Sequence, residues 1–189
     1  MEYQILDKEY IHRGFFDLAK VRVEHSTYDQ EVMVKEHEIL ETGDSVALVL
    51  YEKDTGTLLF TEQFRPAITV HDNDWLLEIV AGRIEEGESP KKTIRREAEE
   101  EIGYRLDNLQ SIGTFYMSPG TSDERIHIYY AEVNSEDRIH QGGGSTQEDE
   151  DIRLVKLNAD QIKEMLISRQ IIDAKTMIGL QWFLIEHSK

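Results

Sequence analysis

Gly82-Arg83-Ile84-Glu85-Glu86-Gly87-Glu88-Ser89-Pro90-Lys91-Lys92-Thr93-Ile94-Arg95-Arg96-Glu97-Ala98-Glu99-Glu100-Glu101-Ile102-Gly103-Tyr104 reads as a glycine-bounded loop followed by one helix. Ser89 is a capping residue, Pro90 suits the first helical position, and Gly103 supplies the stop. Between them Ile94, Ala98 and Ile102 recur at i, i+4 and i+8 and form a core stripe. Glu97, Glu100 and Glu101 follow i, i+3, i+4 spacing, so their carboxylates share a neighbouring face. Like charges so placed repel, and each clash costs roughly a few tenths of a kcal/mol. Glu100 and Glu101 also sit in the last turn, where the helix dipole disfavours anions. A solvated acidic face is the plain reading of such a run. The other reading is a cation site, because magnesium commonly rests on a few carboxylates plus substrate phosphates. Arg96 is placed to pair with Glu100 at i+4 or to brace the loop glutamates.

Outward from this helix the chain alternates strands and helices. Val46-Ala47-Leu48-Val49-Leu50 and Leu58-Leu59-Phe60 flank Asp54-Thr55-Gly56, a hairpin signal between two largely buried strands. Leu76 to Ala81 reads as a third strand, and Ser111 to Met117, Arg125 to Val133 and Ile152 to Leu157 as three more. Before them, Phe16 to Val23 and Gln30 to Ile39 predict an N-terminal antiparallel arm. Asn158 caps a helix carrying Ile162, Met165 and Leu166, and a last helix spans about Asp173 to His187. Gly142-Gly143-Gly144-Ser145-Thr146 reads as a flexible run, suited to a lid or to a plain surface loop. The mixture predicts an α/β fold, helices packed on mixed sheets.

With 189 residues the chain fits one domain with a short extra arm. No apolar run approaches the ~18 residues of a membrane span. The first residues lack the basic flank and apolar stretch of a signal peptide, so a cytoplasmic location is the expectation. Zero cysteines exclude disulfides, thiolate catalysis and Cys-ligated metal. A net charge of −17 argues against nucleic acid as a partner and leaves a phosphate-bearing substrate in need of local positive charge or metal ions.

The 82–104 segment resembles the Nudix box: Gly82, Glu88, Arg96, Glu97, Glu100, Glu101 and Gly103 all fall in its register, with Ala98 and Tyr104 at its two aliphatic positions. The resemblance runs over nearly the whole chain and is nearest to bacterial ADP-ribose pyrophosphatases. Arg13-Gly14-Phe15-Phe16 resembles their arm motif, Glu62-Gln63-Phe64-Arg65 a strand end facing the diphosphate, Ser118 to Arg125 the substrate loop, and Glu148 to Arg153 the catalytic loop. It implies a Nudix α/β/α sandwich with mixed sheets and an antiparallel strand arm. Residues 1–41 would be a dimerisation arm exchanged in a homodimer, and 42–189 the hydrolase domain. It implies metal bound by Glu97, Glu101 and the main-chain oxygen of Ala81, joined by Glu150 with substrate present. Glu148 would be the general base, with Glu100 and Arg96 completing the catalytic set, and Phe15, Arg65, Ser118 and Glu124 would touch substrate. The cofactor implied is magnesium, with manganese as a substitute. Duller readings stand beside these: Arg65 as a strand-end charge, Glu124 as a surface carboxylate, Phe15 and Phe16 as core.

One departure bears on substrate. Where those enzymes carry Arg-Glu and then acid-Arg-Gly, this chain has His37-Glu38 and Glu41-Thr42-Gly43, without the two arginines. Tyr116 to Gly120, Gly142-Gly143-Gly144 and Glu148 to Asp151 also resemble the GDP-mannose pyrophosphatase group. ADP-ribose is therefore the leading substrate, with GDP-mannose or a broad nucleoside-diphosphate-sugar range as the alternative. A non-catalytic nucleotide sensor is a third reading, disfavoured because all the box glutamates are kept.

Overall fold

The computed structural model describes residues 2–71, 74–144 and 150–187. Two compact units emerge, one built from Met1–Asp44 with Tyr116–Arg125, the other from Ser45–Phe115 with Ile126–Lys189.

The first unit is a three-stranded antiparallel sheet in the order β1 (Tyr3–His12), β2 (Asp17–Ser26), β3 (Val32–Glu41). β2 and β3 match the two predicted arm strands within a few residues. β1 went unread because every one of its residues is exposed, so no apolar alternation marks it. Only Ala19 and Val21 on β2 are buried; Ile5, Ile11, Val32 and Val34 remain exposed. The loop 116–125 belongs to the same unit. Asp123 accepts from the Thr42 N–H at 2.9 Å, and Arg125 makes a two-pronged pair with Asp44 at 3.1 and 2.7 Å.

The second unit is a mixed sheet between helices. Its strands are β4 (Ser45–Glu52), β5 (Thr57–Phe64), β6 (Trp75–Glu78), β7 (Val80–Arg83), β8 (Gln110–Tyr116), β9 (Arg125–Val133) and β10 (Ile152–Asn158). The main path runs β10-β5-β4-β9-β8; β4 pairs with β9 in parallel and with β5 antiparallel. The predicted hairpin is present, with Gly56 at φ 66°. The single strand read from Leu76 to Ala81 is in fact two. At Ile79 the chain leaves β5, which pairs with β6, and crosses to β4, which pairs with β7. The buried Ile79 N–H is satisfied by the Thr176 hydroxyl at 2.9 Å.

Helix α1 (Pro90–Ile102) packs on β4, β7 and β10, α2 (Ala159–Ile167) on β10, and α3 (Ala174–His187) on β4. Strand alternation divides β4 between two layers. Val46, Leu48 and Leu50 join Ile94, Ala98 and Ile102 under α1. On the other side a Cβ at Gly179 of α3 would stand 2.5 Å from Val49 Cγ2, so that glycine lets α3 approach the sheet closely. Helices on both faces of a mixed sheet give the expected α/β/α sandwich. No helix of the described residues is long and apolar enough to cross a membrane.

Candidate active site

The site is built where β7 passes under α1. Ser89 caps the helix, its side chain accepting from the Lys92 N–H, and Gly103 ends it at φ 77°. Fixing both ends fixes the rotation of the face between them, so the carboxylates point where the core stripe dictates. Glu97 and Glu101 are turned inward, 8% and 2% exposed, whereas the Glu100 side chain is two-fifths exposed. Burying two carboxylates of one helix is costly without compensation.

Part of the compensation comes from β7. Gly82 has no side chain, and a Cβ there would lie 2.0 Å from Glu97 Oε1. The first glycine of the segment therefore makes room for the Glu97 carboxylate against the strand. Ala81, its neighbour, donates a backbone hydrogen bond to Glu101. Arg96 supplies the rest: its guanidinium lies 2.8 Å from Glu97, 2.8 Å from Glu100 and 3.7 Å from Glu88. Both roles that the sequence left open for Arg96, the i+4 pair and the loop brace, are filled at once. Glu88 is held below the usual carboxylate range by hydrogen bonds from Lys92 and Thr93.

Glu101 is only partly compensated by the Ala81 hydrogen bond. Burial first, then the charges of Glu97 and Glu150, push its carboxyl well above the ordinary range. Its Oε2 is buried and makes no hydrogen bond. A buried acid facing two other acids, with an oxygen left unsatisfied, is the environment a divalent cation corrects. The donor set is all oxygen, as hard cations require. Among the described residues no group of three or more His, Cys, Asp or Glu side chains is arranged to hold a metal ion by itself.

Arg65, at the end of β5, donates to Glu78 at 2.7 Å, and buried Glu78 is shared with Lys175. Arg65, Phe64, Trp75, Glu150 and Asp151 line a cleft of about 510 Å³. Three of the expected contact residues belong to the first unit. Phe15 is 77% exposed and meets Phe16 edge to face at 4.6 Å, so neither ring is core. The Ser118 hydroxyl lies 2.9 Å from that of Thr121, and the Glu124 N–H donates to Ser122 Oγ at 3.1 Å. Glu148, the expected base, lies outside the described residues.

Two features escaped the sequence reading. Gly142-Gly143-Gly144 is hydrogen-bonded to the end of α1 rather than loose. Tyr104, expected merely to pack, donates its hydroxyl proton to fully buried Glu52, which Lys156 also contacts at 2.6 and 2.7 Å. A charged residue at a hairpin end gives no local sign that it is buried.

Comparison with known proteins agrees with this architecture. The model of the NUDIX domain matches residues 41–174. The chain is 30% identical over 195 residues to an ADP-ribose pyrophosphatase of Haemophilus influenzae, covering 100% of this chain and 88% of that one. It is 34% identical over 176 residues to a GDP-mannose pyrophosphatase of Escherichia coli, covering 92% and 91%. A crystal structure of an ADP compounds hydrolase superposes with a TM-score of 0.74 at 20% identity, covering 100% of this chain and 94% of that one.

Proposed function

The chain belongs to the NUDIX domain family and is a hydrolase, and we propose that it cuts the pyrophosphate bond of a nucleoside-diphosphate sugar, ADP-ribose first, with magnesium as cofactor. The observation that carries the reading is the buried pair Glu97 and Glu101, seated on β7 through Gly82 and left with an unsatisfied oxygen. Glu97, Glu101 and the Ala81 carbonyl would hold the ion, with Glu150 at its border. When bound, magnesium neutralises diphosphate charge and acidifies the attacking water.

The protein's own groups do the rest. Arg65, aimed by Glu78, presents its guanidinium to the diphosphate and offsets charge on the leaving phosphate. Arg96 holds the Glu97 carboxylate in place through their ion pair, while Glu100 balances Arg96 from the solvent side. Glu148 takes the proton from water as it attacks phosphorus. The P–O bond of the bridging oxygen breaks, giving AMP and ribose 5-phosphate from ADP-ribose. Phe15, Ser118 and Glu124 would contact the nucleotide and sugar.

A second substrate, GDP-mannose, is favoured by the 34% identical relative and by His37 and Glu41-Thr42-Gly43 standing where arginines are expected. With fewer cations to read the nucleotide, discrimination should be shallow. We expect the protein with magnesium to release AMP from ADP-ribose and GMP from GDP-mannose. The two kcat/KM values should lie within about two decades, a gap of ~3 kcal/mol. A gap beyond about four decades would refute shallow discrimination, and no release from either substrate would refute the function.

The active protein is proposed to be a homodimer exchanging N-terminal strands. Ile5, Ile11, Val32 and Val34 expose apolar surface on strands that have little to bury it. Light scattering should give twice the 22.0 kDa chain mass; a monomer at micromolar concentration would exclude the exchange.

A further inference from the structure

The last four carbonyls of a helix need partners from outside it. At the end of α1 the helix's own cap serves two carbonyls, through the Tyr104 N–H to Ala98 and the Gly103 N–H to Glu99, each at 3.0 Å. The next two carbonyls belong to Glu100 and Glu101. Gly144 donates to the Glu100 carbonyl at 3.2 Å and Gly143 to the Glu101 carbonyl at 2.9 Å. In turn the Gly143 carbonyl accepts from Ile152, the first residue of β10, at 3.2 Å. A three-residue bridge thus joins the carboxylate helix to the strand that follows Glu150.

Its geometry admits little but glycine. All three residues lie in the left-handed region, at φ 68°, 114° and 87°. The space around them differs. A Cβ on Gly142 would fall 2.4 Å from the Glu101 carbonyl oxygen, and one on Gly144 would fall 2.6 Å from Glu150 Cβ and 2.8 Å from its Oε2. A Cβ on Gly143 would meet nothing within 4 Å. Gly144 is therefore the surface against which the Glu150 side chain rests, while its N–H grips the residue next to Glu101.

We propose that Gly142-Gly143-Gly144 is a positioning element that sets where the Glu150 carboxylate stands relative to Glu101, by tying the backbone on which the Glu150 side chain rests to the end of the helix that carries Glu101. The inference rests on the metal-dependent reading of the site.

The test compares Gly144→Asn with Gly143→Asn in the full chain. Asparagine tolerates the left-handed region better than other side chains, so both variants keep the bridge conformation within reach. They differ in whether the new Cβ strikes Glu150. Mn²⁺ binding is measured by calorimetry with ADP present, alongside the melting temperature and amide hydrogen exchange at residues 143, 144 and 152. We expect Gly144→Asn to weaken Mn²⁺ roughly 10- to 100-fold, the range of a displaced supporting group. Gly143→Asn should stay within about threefold of wild type in Mn²⁺ affinity, although both variants lose melting temperature to the positive-φ backbone. Combining Gly144→Asn with Glu150→Gln should bind no more weakly than the worse single variant, because both act through one carboxylate. Equal Mn²⁺ affinity in the two Asn variants, or additive losses in the double variant, would overturn the positioning role. Fast exchange of the Gly143 and Gly144 amides in wild type would overturn the bridge itself. Wild-type protein that binds no Mn²⁺ would instead overturn the metal reading on which the inference rests.

Discussion

Replacing Glu101 by Gln is expected to lower kcat roughly 10²- to 10⁴-fold while raising the melting temperature of the metal-free protein. Both effects come from one carboxylate. Charge stabilisation by a bound cation supplies several kcal/mol at the transition state, and each 1.36 kcal/mol is tenfold in rate. The stability gain follows from the upward shift of Glu101, caused first by burial and then by Glu97 and Glu150. With a folded value above the unfolded one of about 4.5, the native state binds more protons than the unfolded chain in the window between them. Metal-free wild type therefore loses stability as pH rises from about 4.5 through the folded value. Gln carries no charge to bury, so the variant lacks that slope. Each kcal/mol relieved adds about 2–4 °C for a chain of this size. Magnesium should raise the melting temperature of wild type and leave the variant nearly unmoved. Melts from pH 4 to 8, with and without magnesium, and a saturating-substrate assay measure all of this. A variant that turns over normally, or melts lower than wild type without metal at neutral pH, would refute the assignment.

The largest stability loss should come from Lys156→Met. Glu52 is 0% exposed, and burial alone would raise its pKa. Hydrogen bonds from Lys156, Thr55 and Tyr104 reverse that and hold it below its ordinary value. Removing the only cation of the trio leaves a buried carboxylate with two neutral donors. Breaking a buried pair typically costs ~3–5 kcal/mol; because Lys156 is one-third exposed and water reaches its position, the lower end applies. About 3 kcal/mol would lower the melting temperature by roughly 6–12 °C. In wild type the depressed Glu52 contributes stability above about pH 4.5 that is lost as pH falls through its folded value. In the variant the carboxyl prefers its proton, so the gap between the proteins should narrow on acidification. Adding Glu52→Gln should restore much of the loss at pH 7. A single variant within 1–2 °C of wild type would mean that the network contributes little.

These cases show what was legible in the sequence. The bounds of α1 follow from Ser89, Pro90 and Gly103, local signals that need no tertiary partner. The face shared by Glu97 and Glu101 follows from helical period alone. The break at Ile79 was hidden because Leu76 to Ala81 is apolar throughout, while the change of partner that splits it depends on where β4 and β5 diverge. Burial of Glu52 depends on Lys156, more than a hundred positions away, and spacing cannot reveal such a contact. The run Gly142-Gly143-Gly144 announced conformational freedom, whereas the structure uses that freedom to fit one rigid path around a helix end.

The parallel pairing of β4 with β9 has a kinetic consequence. Ser45 lies opposite Ile126, so this ladder forms only after a long loop closes, and non-local pairing slows folding. Helix α1 lies inside that loop and carries its own cap and stop, so it can coil within microseconds. Its acids are then exposed and hydrated, with neither β7 nor the 142–144 bridge beside them. Refolding should accordingly proceed out of step, with helical signal arriving well before the chain acquires any appetite for a divalent ion. Added metal would deepen the native basin without hastening arrival there.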